Sequence, residues 1–188
     1  MLRLFWGIAL PDDIKKRLLA LKKDFPPGLN IKWVEADNLH VTLYFAGLQP
    51  EATIQKLRDC TRRVAAQMPP FKLTIKGVGK FPPRSNPRVI WAGITNGCLQ
   101  LQKIHTLLKS EMEAGAYTDA SGNYAPHVTL GRVRSYAAIA LDDFLQQKKS
   151  MFFGDFSVTA IALYNSVLTP KGPIYTCLQR CTLDSTEN

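Results

Sequence analysis

The sequence predicts an α+β fold built from two related strand–helix units, and three observations predict it. The tetrapeptide His-Val-Thr-Leu occurs twice, at residues 40–43 and 127–130. The order of elements after the first copy (strand, helix, strand, strand) is repeated after the second, which suggests an internal repeat about a pseudo-twofold axis. A chain of 188 residues with 46% hydrophobic and 10% aromatic content is long enough for one domain, or for two small lobes sharing a core.

The elements follow from periodicity. Leu2 to Ala9 reads as an apolar strand. Asp12 opens a helix whose apolar residues Ile14, Leu18, Leu21 and Phe25 keep helical spacing until Pro26 and Pro27 stop it. Ile31 to Val34 and Leu39 to Ala46 read as strands, and a helix beginning at Pro50-Glu51 places Ile54, Leu57, Thr61, Val64 and Met68 on one face. Phe71 to Val78 and Arg88 to Thr95 are strands joined by a proline-rich basic loop, residues 80–88. A helix after Gly97 turns Leu101, Ile104, Leu108 and Met112 inward, and Tyr117 to Tyr124 is a polar loop. His127 to Val133 is a strand, Ala138 to Gln147 a helix, Phe156 to Val167 a single strand, and Ile174 to Leu183 the last strand before a loose tail. The helix missing from the second unit is expected to come from residues 12–25.

The formal charge is +9, from 24 Lys and Arg against 15 Asp and Glu, which favours a polyanionic partner such as nucleic acid or an anionic surface. No stretch approaches the length of a membrane span, and Pro11-Asp12-Asp13 follows the short apolar run at the N-terminus where an export signal would need small residues. Cys60, Cys98, Cys177 and Cys181 lack zinc-type spacing and read as reduced thiols. A cytoplasmic protein is expected.

The repeated tetrapeptide takes two of the three histidines. In a strand, alternate side chains share a face, so His40 and Thr42 point one way and Val41 and Leu43 the other. The same holds for His127 and Thr129 against Val128 and Leu130. Two such faces meeting across a twofold would gather two imidazoles and two hydroxyls. That set suits phosphoryl transfer: one neutral imidazole takes a proton, one imidazolium gives one, and the threonines bind phosphate oxygens. Arg132 would face away in a regular strand and needs a bend near the strand end to reach a phosphate. A lone His-x-Thr is ordinarily just strand, and neither copy brings the ligands to complete a metal shell. Asp37 reads as a turn residue and His105 as structural or solvated. Lys80, Arg84 and Arg88 are candidates for contacts to the phosphates of a polyanionic partner or for plain solvation. Phe45 is a candidate base-stacking residue, although strand alternation sets it opposite Thr42 and favours a core role. Lys15, Lys16, Lys22 and Lys23 form the wet face of the first helix.

At these residues the sequence resembles the 2H phosphoesterase superfamily, marked by two His-x-Thr-x motifs, and within it the RNA 2′,3′-cyclic phosphodiesterases, also called 2′-5′ RNA ligases. The resemblance runs nearly end to end, through Arg3-Leu4-Phe5, Trp33-Val34, Asn38-Leu39-His40-Val41-Thr42-Leu43, Phe45, Gly47, Pro87-Arg88-Val89-Ile90-Trp91, Pro126-His127-Val128-Thr129-Leu130-Gly131-Arg132 and residues 168–175. It implies a single bilobal domain over 1–188, with two antiparallel sheets lining a cleft and helices on the outer faces. The middle lobe is expected at about 39–115, and the other from about 1–34 and 125–184. It also implies hydrolysis of a terminal 2′,3′-cyclic phosphate to a 2′-phosphate with no metal or cofactor, and in some members the reverse 2′-5′ ligation. His40 and His127 match the family's catalytic positions, Thr42, Thr129 and Arg132 its phosphate-binding ones. His40 is assigned as the acid that protonates O3′ and His127 as the base that activates water. RNA with cyclic phosphate ends, tRNA fragments among them, is the expected partner of a monomeric enzyme. Alternatives are a phosphodiesterase for cyclic nucleotides or ADP-ribose cyclic phosphate, and a non-catalytic RNA-binding protein.

Overall fold

A computed structural model describes residues 1–83, 86–114, 124–135, 141–170 and 172–184. Arg84, Lys171, the loop 117–123, the expected first turn of a helix at 138–140 and the tail 185–188 lie outside the described residues. The elements are β1 (Leu2–Ala9), α1 (Asp12–Ala20), β2 (Asn30–Trp33), β3 (His40–Gln49), α2 (Ile54–Ala65), β4 (Phe71–Phe81), β5 (Val89–Asn96), α3 (Cys98–Ala114), β6 (His127–Ser135), α4 (Leu141–Gln147), β7 (Phe152–Val158), β8 (Ala160–Thr169) and β9 (Gly172–Thr182). The α+β class is as expected. α1 is shorter than its apolar spacing: after Ala20 it tightens into a 3₁₀ turn to Asp24, and Phe25 is already extended (φ −64°, ψ 139°). Pro26 accounts for the extended Phe25, because its ring disfavours helical backbone in the residue before it.

The strands form a nine-stranded sheet in the order β7-β4-β5-β6-β3-β1-β8-β9, with β2 added on β6. Every pairing is antiparallel. The expected two sheets therefore exist as two halves, β3-β1-β8-β9 and β6-β5-β4-β7. Among the described residues one ladder pair, Val41 with Val128, joins them. Those valines hold the same position in the two tetrapeptides, so an antiparallel pair between them places a local twofold at the junction.

The pairing cuts across the contiguous middle lobe expected over residues 39–115. β4 and β5 belong with β6 and β7, while α2 packs on β8 and β9 and α3 on β3. The physical reason is edge occupancy. β1 covers one edge of β3 from Gln49 to His40 and β6 meets the other at Val41, so the β4–β5 hairpin pairs with the outer edge of β6 instead. α1 packs on β7, in the half that the chain's own order leaves short of a helix.

A second correction concerns the single strand expected from Phe156 to Val167. It is two strands, β7 and β8, divided at Thr159. β7 pairs with β4 in one half and β8 with β1 and β9 in the other. The chain thus passes between halves through one residue, which curls the sheet. The run carries no Gly or Pro near Thr159 to announce the break.

Helices cover one face. Leu57, Val64, Leu101, Ile104, Leu108 and Met112 meet Leu4, Trp6, Ile8, Val41, Leu43, Val128 and Leu130 in one core, every one of them at most 4% exposed. The Val and Leu of each tetrapeptide are thus held by packing, worth about 1.5–3 kcal/mol for each large side chain. Their His and Thr are left on the opposite, concave face.

Candidate active site

Both tetrapeptides bulge at the same place. Thr42 and Tyr44 stand opposite the neighbours Gly7 and Trp6, leaving Leu43 as the extra residue. Thr129 and Gly131 stand opposite Trp91 and Ile90, leaving Leu130 extra. Burial from the histidine onward follows the same order in both strands: half-buried, buried, half-buried, buried, buried, exposed. A bulge adds one residue and so resets the alternation. The fifth residue after each histidine, Phe45 in one copy and Arg132 in the other, is thereby turned onto the histidine face.

This settles two positions that plain alternation set aside. The bend that Arg132 required is the bulge at Leu130. Phe45 is not core: it is 39% exposed and lines the cleft. His40, Thr42, Phe45, His127, Thr129 and Arg132 all line one cleft of about 430 Å3. Arg88 is exposed and does not line it, and Lys80 is ion-paired with Asp142 at 2.6 Å.

The imidazoles are held alike. His40 Nδ1 lies 2.7 Å from the Asn38 carbonyl and His127 Nδ1 2.7 Å from the Ala125 carbonyl, each two residues upstream. A carbonyl only accepts, so both Nδ1 atoms carry hydrogen and donate. In the neutral rings Nε2 is then the basic nitrogen. His40 Nε2 sits 3.0 Å from Thr42 Oγ1. Phe5 (ring centroids 4.9 Å apart) and Tyr175 (5.3 Å, perpendicular) wall in the His40 ring, and Phe81 stands edge-on to His127 at 5.1 Å. Gly7 makes room for this: a β-carbon there would lie 3.0 Å from the Val41 carbonyl and 3.3 Å from His40 Cδ2.

Burial lowers the pKa of His40 below 6.5; the Asn38 carbonyl opposes this and the charge of His127 adds to it. Burial also lowers His127, opposed by the Ala125 carbonyl and reinforced by Arg132. Protonating one imidazole makes it harder to protonate the other. The pair can therefore hold one acid and one base together, as two-step proton transfer across a phosphorus requires.

Sequence reasoning missed several residues at this site. Arg3 lines the cleft and lies over the Phe45 ring at 5.1 Å; Lys32 and Tyr175 also line it. Asn38 donates from Nδ2 to the Pro173 carbonyl at 2.8 Å and so ties the β8–β9 turn to the first motif. His105, one of the three histidines, is buried and donates from Nδ1 to the carbonyl of the bulged Leu43 at 2.8 Å. It stacks on Tyr124 at 4.2 Å, 3° from parallel, and the Tyr124 hydroxyl donates to the Thr42 carbonyl at 2.9 Å. At the second bulge the Leu130 carbonyl accepts instead from the Val34 backbone N–H at 2.9 Å. The only signal for the first clamp was a histidine beside the apolar stripe of its helix.

The sequence profile of the 2′-5′ RNA ligase superfamily matches residues 10–169 of this chain. The chain belongs to that superfamily. It is 32% identical over 180 residues to the RNA 2′,3′-cyclic phosphodiesterase of Aquifex aeolicus, covering 95% of this chain and 96% of the relative. It is 34% identical over 175 residues to that of Methanocaldococcus jannaschii, covering 93% and 96%. Among solved structures, one from Thermus thermophilus superposes with a TM-score of 0.84 at 28% identity, covering 98% of this chain and all of the other (100%). Escherichia coli LigT complexed with 3′-AMP superposes with a TM-score of 0.78 at 29% identity, covering 97% and 98%. As a 2′-5′ RNA ligase superfamily member the protein is a phosphoesterase. Among its described residues no group of three His, Cys, Asp or Glu side chains could hold a metal ion, and no helix is long and apolar enough to cross a membrane.

Proposed function

We propose that the cleft hydrolyses the 2′,3′-cyclic phosphate at the end of an RNA to a 2′-phosphate by two-histidine acid–base catalysis. The observation that carries the reading is the meeting of both motifs on one cleft, with each Nδ1 spent on a backbone carbonyl and each Nε2 thereby made the basic nitrogen, that of His40 lying 3.0 Å from the Thr42 hydroxyl. Water attacks phosphorus while His127 Nε2 takes its proton. The P–O3′ bond breaks, and His40 Nε2–H protonates O3′. His127 suits the base because it is the more open imidazole and the attacking water enters from solvent. His40, walled by Phe5 and Tyr175, meets the sugar oxygen, and the bound phosphate anion restores the proton that burial disfavours. Thr42 and Thr129 donate to the non-bridging oxygens, and Arg132 neutralises the charge that develops there. A 5′-hydroxyl in place of water runs the same steps as 2′-5′ ligation.

Phe45, with Arg3 over its ring, offers a stacking face for a base at the mouth, and the net charge of +9 favours an RNA strand over a small cyclic nucleotide. Arg88, exposed at the start of β5, serves the phosphates of that strand. The thiols of Cys60, Cys98, Cys177 and Cys181 are free, which supports the cytoplasm as the place of action.

The test gives the purified protein an RNA ending in a 2′,3′-cyclic phosphate, with chelator present, and determines which oxygen keeps the phosphate. A 2′-phosphate is expected, with turnover lost in His40→Ala and in His127→Ala. Full activity in both variants, or loss on adding chelator, refutes the mechanism.

A further inference from the structure

The pseudo-twofold that relates the two motifs also relates their neighbours strand by strand. On β1, Ala9 and Gly7 stand opposite His40 and Thr42; on β5, Gly93 and Trp91 stand opposite His127 and Thr129. One strand further out, Ala162 of β8 pairs with Gly7, and Gly79 of β4 pairs with Trp91. Cross-strand partners share a face. Gly7, Ala9 and Ala162 in one half are therefore equivalent to Trp91, Gly93 and Gly79 in the other, all on the concave face.

In the β6 half this place is filled. A β-carbon at Gly79 would lie 2.2 Å from Trp91 Cζ2, and one at Gly93 would lie 3.3 Å from Cζ3. Both glycines thus seat the indole, which packs on Phe81 with ring centroids 5.3 Å apart. In the β3 half the same three positions carry nothing larger than a methyl group; the His40 and Phe5 rings close over Gly7, and beside them, at Ala9 and Ala162, a cavity of about 200 Å3 opens. Tyr164, the counterpart of Phe81, forms one wall, and Arg180, paired with Ala162, lines the cavity too.

We propose that this cavity is a nucleobase subsite for the nucleotide on the 5′ side of the one carrying the cyclic phosphate. The inference rests on the RNA phosphodiesterase reading above. A nucleobase and an indole are planar heteroaromatics of the same thickness, and the cavity floored by Ala9 and Ala162 leaves a base the room that the indole takes over Gly79 and Gly93. Tyr164 supplies a stacking face, and the Arg180 guanidinium supplies charge for the adjoining phosphate. The cavity lies behind the His40 ring, at Gly7, and the stacked Phe5 and Tyr164 rings, 5.2 Å apart, stand between it and the cleft. A base held there belongs to the neighbour of the nucleotide on the histidines.

The test compares kcat/KM for a nucleoside 2′,3′-cyclic phosphate and for a dinucleotide ending in the same group. It is run in the full chain and in two variants that refill the cavity, Ala162→Trp and Ala9→Leu. The dinucleotide-to-mononucleotide ratio is expected to fall about 10-fold. Ala9 is exposed, so its variant answers the question should Ala162→Trp fail to fold. An unchanged ratio in the folded variant, or equal loss on both substrates, overturns the subsite. A wild-type chain that turns over neither substrate overturns the phosphodiesterase reading instead. Calorimetric binding of a dinucleotide 2′-phosphate then decides the subsite by itself: weaker binding in Ala9→Leu upholds it, and equal binding removes it.

Discussion

Removing one hydroxyl, in Tyr124→Phe, tests whether the backbone around the first bulge governs the reaction. The Tyr124 hydroxyl is half-buried and donates to the Thr42 carbonyl at 2.9 Å, while Thr42 Oγ1 lies 3.0 Å from His40 Nε2. The substitution keeps the ring stacked on His105 but releases the carbonyl of Thr42, the residue proposed to bind phosphate. A net loss of about 1 kcal/mol is expected for a neutral hydrogen bond of this kind. If that loss falls on the transition state, kcat drops about 5-fold. A merely structural bond would lower the melting temperature and leave kcat per folded molecule unchanged. The decisive assay is a double-mutant cycle with Thr42→Ala, reading kcat and KM in all four proteins. The Tyr124→Phe effect on kcat should vanish once the Thr42 hydroxyl is gone. Additive effects, or a kcat equal to wild type in the single variant, refute the argument.

Other expectations follow from the same geometry. In the free enzyme both imidazoles are lowered from 6.5, so the form with one proton between them dominates at lower pH than an ordinary histidine pair; the optimum of kcat/KM should lie on the acid side of 6.5, and an optimum well above it would contradict the placement of the rings. The unfolded chain takes up protons on these imidazoles near 6.5 while the folded chain resists, so stability should fall as pH drops through 6.5, and His40→Asn should flatten that slope in denaturant titrations. Arg132→Gln should lower kcat by about 10-fold or more with a smaller change in KM, because the charge acts where negative charge develops. Phe45→Ala should instead raise KM by about 5-fold or more for RNA and for a nucleoside cyclic phosphate alike while leaving kcat little changed, read from steady-state kinetics on both substrates.

The histidines, the threonines and the helices were legible in the chain because they follow local periodicity. Ile104 and Leu108 sit where the helical spacing puts them, and so do Val41 and Val128 on the core side of their strands. What was not legible depends on a partner. A bulge exists only against the opposing strand, so the turn of Phe45 and Arg132 into the cleft could not be read from the alternation of β3 or β6 alone. The attachment of β4 and β5 to β6 is decided by which strand edge β1 leaves open. The division at Thr159 is enforced by two different neighbours for β7 and β8. His105 and Tyr124 are far apart from Thr42 and Leu43 in sequence, and the carbonyls they cap are backbone atoms that carry no letter of their own.

The Val41–Val128 rung bears on the direction of the reaction. Turning a phosphorus centre half a revolution about an axis through that rung exchanges its entering and leaving oxygens, and exchanges His40 with His127. Backbone symmetry is therefore neutral between cutting and joining. Bias must come from side chains that the axis does not map onto their own kind, foremost an aromatic ring at 45 and a guanidinium at 132. In the proposed reaction one end of the substrate meets a flat apolar surface and the other a fixed positive charge, a polarity that would orient the RNA end between two otherwise interchangeable bases.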